Sequence, residues 1–95
     1  MSELRFDWDE QKNVSNQAKY ENVSFEEARG VFDDVNAVVI DDPIHSDDED
    51  RFIILGLSGQ ARLLVVCHCY REDNKIIRII SARKATKNEW RFYGR

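Results

Sequence analysis

The stretch Ala61–Ala82, ARLLVVCHCYREDNKIIRIISA, decides the architecture. Two apolar, β-rich runs flank the turn-like triplet Glu72-Asp73-Asn74, so the stretch reads as a hairpin. Neither run alternates cleanly between apolar and polar. A strand open to water on one face alternates, whereas one covered on both faces does not. The runs Ala61–Tyr70 and Lys75–Ala82 are therefore expected at the centre of a sheet, with helices covering them. Upstream, RFIILGLS at Arg51–Ser58 is a third strand, joined to the first hairpin arm through Ser58-Gly59-Gln60. Successive hairpins predict an antiparallel meander. NAVVID at Asn36–Asp41 and RFDWD at Arg5–Asp9 are further strand candidates.

Three helices complete the expectation. Asp9 can accept a free backbone N–H as N-cap of a helix to about Tyr20, whose apolar stripe is only Val14 and Ala18. Ser24 and Glu27 have capping-box spacing and open a helix to about Phe32, with Phe25, Ala28 and Phe32 inward. Thr86 and Glu89 repeat the motif and open a short C-terminal helix carrying Trp90 and Tyr93. The predicted fold is one α+β domain over residues 1–95. It has an antiparallel β-sheet, two N-terminal helices packed on one face and a short C-terminal helix.

Composition agrees with a small globular domain. Apolar residues make up 42% of the chain, too many for a disordered segment even with 34% charged. No 18-residue apolar run predicts a membrane span, and MSELRFDWDE lacks the basic-then-apolar order of a signal peptide, so a cytoplasmic location is expected. Net charge is −4, but it is polarised. Residues 1–60 hold 15 acids and 5 bases; residues 61–95 hold 9 bases and 3 acids. A local basic patch attracts phosphates whatever the overall sign.

The basic end carries the most telling chemistry. Arg78 interrupts an apolar strand, so its guanidinium must be paired or must line a cleft. Arg83, Lys84 and Lys87 follow where that strand ends and a helix begins. A helix N-terminus presents free N–H groups, so the cluster is a candidate phosphate site; the alternative is a solvated basic tail. Tyr93 could stack a base or donate a proton. His68 could be a core histidine, or a base or phosphate contact near neutral pH. Lys12, Asn16, Lys19 and Tyr20 share a helix face, either solvated or turned to RNA. Cys67-His68-Cys69 suggests zinc by composition, but alternation along a strand sends both thiols one way and the imidazole the other. Buried thiols are the expected state. Asp41, Asp42 and Asp47–Asp50 crowd one loop rather than separate rigid elements, which reads as a solvated acidic loop. No metal-ligand set or cofactor motif is apparent.

RIISARKATKNEWRFY, at Arg78–Tyr93, resembles the C-terminal signature of the BrnT family of ribonuclease toxins. FDWDEQKN resembles that family's F-x-W-D-x-x-K-N opening, VSFEEARGVFDD its second helix, and HSDDEDRFIILGLS with RLLVVCHCYRE its central strands. The likeness spans nearly all 95 residues. It implies a RelE-like fold and a metal-independent endoribonuclease that inhibits translation. RNA would be cut by 2′-hydroxyl attack, leaving a 2′,3′-cyclic phosphate. A BrnA-like antitoxin would neutralise the toxin in a hetero-oligomer and supply the only DNA contact. The site residues expected on this basis are Arg83, Arg78, His68 and Tyr93 for catalysis. Lys84, Lys87, Lys19 and Lys12 are expected to hold RNA phosphates. One departure stands out. Where the family commonly shows N-x-x-K-H-G, this chain reads Asn16-Gln17-Ala18-Lys19-Tyr20, with Tyr20 in place of His. The alternative is thus a weakly active or inactive toxin-like module that acts through its antitoxin complex.

Overall fold

The structure, a computed structural model, describes residues 5–46 and 49–93, apart from the His45 side chain. The chain runs β1 (Arg5–Asp7), α1 (Glu10–Lys19), α2 (Phe25–Arg29), β2 (Val38–Asp41), β3 (Phe52–Leu57), β4 (Leu63–Arg71), β5 (Ile76–Lys84) and α3 (Lys87–Trp90). Single 3-10 turns follow α2 at Gly30–Asp33 and β2 at Pro43–His45. The five strands form one sheet in the order β1-β5-β4-β3-β2. The two apolar runs do lie inside it. The sheet is not wholly antiparallel, however: β1 lies parallel to β5, with Asp7 beside Arg78. Some seventy residues separate these strands, so no tight turn dictates their relative direction.

The helix ends follow their capping residues. Asp9 accepts from the N–H groups of Gln11 and Lys12, and α1 closes at Tyr20. Ser24 accepts from Glu27 N–H, but Glu27 does not complete a capping box. Its carboxylate instead bonds Ser58 and forms an ion pair with Arg62, tying α2 to the β3–β4 turn. Thr86 and Glu89 form the full reciprocal box at α3.

The core lies between the sheet and the first two helices. Val23, Phe25, Ala28 and Val31 pack on Ile54, Leu64, Val66, Ile79 and Ala82, all buried. Each large side chain closed off in this way contributes about 1.5–3 kcal/mol. Gly56 in β3 permits the closest approach: a Cβ there would meet Val31 Cγ1 at 2.9 Å and Ala37 Cβ at 3.0 Å. The thin apolar stripe of α1 has a physical counterpart. The helix docks through two buried asparagines. The Asn16 amide donates to the carbonyls of Ala82 and Val23 and accepts from Ala82 N–H, so it pairs with the β5 edge as a strand would. Asn13 accepts from Phe25 N–H and donates to Glu26.

Helices do not cover the second sheet face as the sequence leads one to expect. A smaller cluster of Leu55, Leu63 and Val65 is capped there by Ala85 and Tyr93. The rest of that face is open, with Ile40 57% and Phe92 60% exposed. A bulge in β5 shapes it. Cys67 pairs with Ser81 and His68 with Ile79, which leaves Ile80 as an extra residue. Arg78 and Arg83 are five positions apart and would alternate to opposite faces of a regular strand. The extra residue brings both onto the open face.

Candidate functional site

Arg83 is the centre of the described chemistry. It lies opposite Val65 on the open face and lines a cleft of about 200 Å³ with Asp42, Arg51, Cys67 and Ser81. Its guanidinium grips Glu89 in a two-pronged ion pair, with both N···O distances 2.8 Å. Glu89 also accepts from Thr86 N–H. The Arg83 guanidinium, aided by that N–H, holds the Glu89 carboxyl down at about 2. The predicted anion site at the start of α3 is therefore filled by the protein's own carboxylate. With only four residues, α3 has few N–H groups to spare.

On the other side of the bulge, Lys12, Lys19 and Tyr20 line a shallow groove with Ser15, Ile80 and Ser81. The Lys19 ammonium sits 5.3 Å from the Tyr20 ring centre. Tyr20 also lies within electrostatic reach of Arg83. The departure from the family pattern thus falls beside the candidate site. Ile80 and Ser81 belong to both hollows, so the bulge is a saddle between them.

The remaining predicted residues lie elsewhere. Arg78 shares the open face but pairs with Asp7 at 2.5 Å and does not line the Arg83 cleft. Lys84 faces the helix side and lies 3.5 Å from Glu21. Lys87 is exposed at the first position of α3. His68 is fully buried on the helix face, ringed by Phe32, Phe52 and Tyr70. Its Nδ1 lies 3.3 Å from the Val66 carbonyl, and Nε2 has no partner among the described residues. Burial lowers its pKa, so it is neutral at physiological pH. The sheet itself separates this imidazole from Arg83. Tyr93 packs on the Val65 cluster and donates its hydroxyl to Asp34 at 2.5 Å. That acceptor pushes the phenol pKa up. Asp34 also accepts from Leu57 and Asn36 N–H groups, so this contact anchors the C-terminal segment.

The cysteines face as strand alternation requires, and burial pushes the Cys67 thiol up to about 11. Of the acidic loop, Asp47 and Asp48 lie outside the described residues. Asp42 is buried, contrary to a solvated reading, and Glu49 pairs with Arg71. Among the described residues, no three His, Cys, Asp or Glu side chains converge on one point. No helix there is long and apolar enough to cross a membrane.

Sequence reasoning did not bring Arg51 and Ser81 to the Arg83 cleft, nor Glu89 to the Arg83 guanidinium. Glu89 was legible only as a helix cap. Arg51 begins a strand far from the basic end, and Ser81 follows four isoleucines in an apolar strand. Strand alternation does place Arg51 with Ile53 and Leu55, but which face is open is a tertiary fact.

Comparison with known proteins places this geometry. No curated protein matches the sequence significantly. The fold is similar to that of the Brucella abortus ribonuclease toxin BrnT, known from a 1.1 Å crystal structure. The TM-score is 0.66 at 21% sequence identity, over 90% of this chain and 100% of that one. At that identity the likeness speaks for the fold alone. Residues 8–89 match the family described as "Ribonuclease toxin, BrnT, of type II toxin-antitoxin system", and the chain therefore belongs to the BrnT family of ribonuclease toxins.

Proposed function

We propose that this chain is a cytoplasmic toxin of RelE-like type that arrests translation by cutting RNA without a metal ion. The supporting observation is that Arg83 lines a cleft on the open sheet face, with the α1 lysines just across the bulge. In the reaction the RNA 2′-oxygen attacks the adjacent phosphorus while its proton leaves. The P–O5′ bond then breaks, and a proton reaches O5′. The products are a 2′,3′-cyclic phosphate and a 5′-hydroxyl end. Charge builds on the phosphorane oxygens, and fixed cations facing them are the largest contribution a protein can make. Arg83 supplies that stabilisation, and Lys12 and Lys19 hold flanking phosphates. Tyr93 acts through position rather than as the acid. His68 supports the core. A BrnA-like antitoxin neutralises the toxin in a hetero-oligomer and makes the DNA contact.

A second reading, a toxin-like module with little activity, is favoured by two observations. Arg83 is already held by Glu89, and Tyr20, in the groove across the bulge, stands in place of the family's His. One experiment decides. Purified protein is incubated with single-stranded RNA in excess EDTA, and product ends are identified by mass spectrometry. Cyclic phosphate ends that disappear in Arg83→Ala support the enzyme. Loss of cleavage in EDTA with recovery in Mg²⁺ would overturn the metal-independent mechanism. Intact RNA under every condition supports the module.

A further inference from the structure

We infer that Arg51 is a second phosphate-binding residue, and that an RNA strand crosses the β5 saddle at Ile80–Ser81. One phosphate would lie between Arg51 and Arg83, with the neighbouring backbone on the α1 lysines. This rests on the ribonuclease reading and gives that site a strand path.

The register supplies the first argument. Arg51 precedes β3 and continues the alternation of Ile53 and Leu55, so it stands on the open face. It lines the same cleft as Arg83, on β5, with β4 between them. Register sets Arg51 level with Cys69 and Arg83 level with Val65. Their Cα atoms thus stand two strand spacings and four residues apart, roughly 16 Å, a span that two long guanidinium arms can close over a phosphate. Ser81 and Cys67 form a row across the floor of that gap.

Charge pairing supplies the second. On the open face Arg71 is paired with Glu49, Arg78 with Asp7 and Arg83 with Glu89. Arg51, like Arg5 on the edge strand, makes no side-chain hydrogen bond or ion pair with any described residue, but Arg51 lines the cleft and its backbone is pinned. Its N–H donates to Ser46 Oγ at 2.9 Å, and its carbonyl accepts from Asp42 N–H at 2.9 Å. A fixed base with an unpaired fork is what an anion site needs. The Asp42 carboxylate in the same wall opposes an anion. It is buried, already partnered, and 3.9 Å from the Cys67 sulfur. Against it the cleft sets the Arg51 guanidinium and that of Arg83, which must share its charge with Glu89.

The saddle supplies the third. The Ser81 hydroxyl has no partner among the described residues and borders both hollows, so it can donate to a phosphate oxygen as the strand passes. Ile80 offers an apolar contact for a ribose at the same crossing. Arg78, expected from sequence to share this role, is committed to Asp7.

Fluorescence anisotropy with a labelled 2′-O-methyl RNA, which cannot be cut, tests the path in the full chain. Arg51→Ala should weaken binding about tenfold and lower the slope of log K against log salt by about one. Arg51→Lys should recover part of the loss, because it keeps the charge but not the fork. Lys75→Ala, in the β4–β5 turn away from the cleft, serves as control and should bind as wild type. Thermal melts confirm folding; should Arg51→Ala unfold, Arg51→Lys and Arg51→Gln decide between them. Unchanged affinity and slope in the Arg51 variants, with wild-type binding and cleavage intact, would overturn this inference alone. Absence of both binding and cleavage in the wild type would overturn the ribonuclease reading and this path with it.

Discussion

The two faces of the sheet are built from neighbouring residues of the same strands, yet they meet opposite fates. On the helix side, Phe25, Val31, Leu64 and Val66 are shut from water, and the buried Asn13 and Asn16 are held by several hydrogen bonds each. On the other side, Ile40 and Phe92 are more than half exposed, and Arg71, Arg78 and Arg83 are each balanced by a single carboxylate at the rim. A closed face must satisfy every polar group internally, because an orphaned one costs about 1–3 kcal/mol. An open face can leave a guanidinium such as Arg51 to solvent and keep it available. The contrast divides the molecule into a face that makes it fold and a face that can meet a ligand.

Four measurements test this division. The largest effect should come from the open face: Arg83→Ala should cut RNA cleavage by roughly 10²–10³-fold, the usual loss when one transition-state donor is removed. The same variant should unfold close to the wild-type temperature, because the Arg83–Glu89 pair is partly exposed. Strong unfolding instead would break the division. Next comes Glu27→Ala on the closed face, which removes the partner of Ser58 and of the partly exposed Arg62 and should lower unfolding stability by about 1–3 kcal/mol in urea titrations. Cleavage per folded molecule should be unchanged.

A smaller effect concerns His68. Its pKa is lowered in the folded state, so the unfolded chain binds more protons as pH falls below the ordinary value of about 6.5. Stability is thus present above that pH and declines below it, by up to about 1.4 kcal/mol per pH unit. His68→Phe, among the rings of Phe32, Phe52 and Tyr70, should flatten this slope in melts from pH 5 to 7. A slope that survives the substitution would assign it to another group. The smallest effect on activity is expected from Tyr93→Phe. Removing the hydroxyl frees Asp34 but should leave cleavage per folded molecule unaltered, as read from single-turnover rates. A large fall in rate would make Tyr93 a proton carrier and sharpen the open face into a fuller active site.

Much of the covered face was legible from residues near one another in the chain. The hairpin at Ala61–Ala82, the caps at Asp9, Ser24 and Thr86, and the stripe of Phe25 and Ala28 all depend on local geometry. The candidate site was legible only in part. Arg83, Lys12 and Lys19 follow from charge and spacing. Tyr20 shares a helix face with those lysines by spacing, but nothing local placed it against Ile80 and Ser81 of the bulge. The bulge at Ile80 could not be read from a run of isoleucines, since either register buries them. Without it, Arg78 and Arg83 would be assigned to opposite faces. Glu27 and Glu89 each match a capping box, yet only Glu89 completes one, because Arg62 draws Glu27 away.

By itself the sequence determined the central strands, the helix starts, the polarised charge and membership of a ribonuclease toxin family. These follow from period, capping chemistry and motif, which act over a few residues. Tertiary structure alone decided the parallel seat of β1, the open face and the separation of His68 from Arg83. It alone also brought Arg51, Ser81 and Arg83 into one cleft. The physical reason is that register and burial are settled by contacts between residues far apart in the chain. A one-residue slip in a strand reverses which face every later side chain serves.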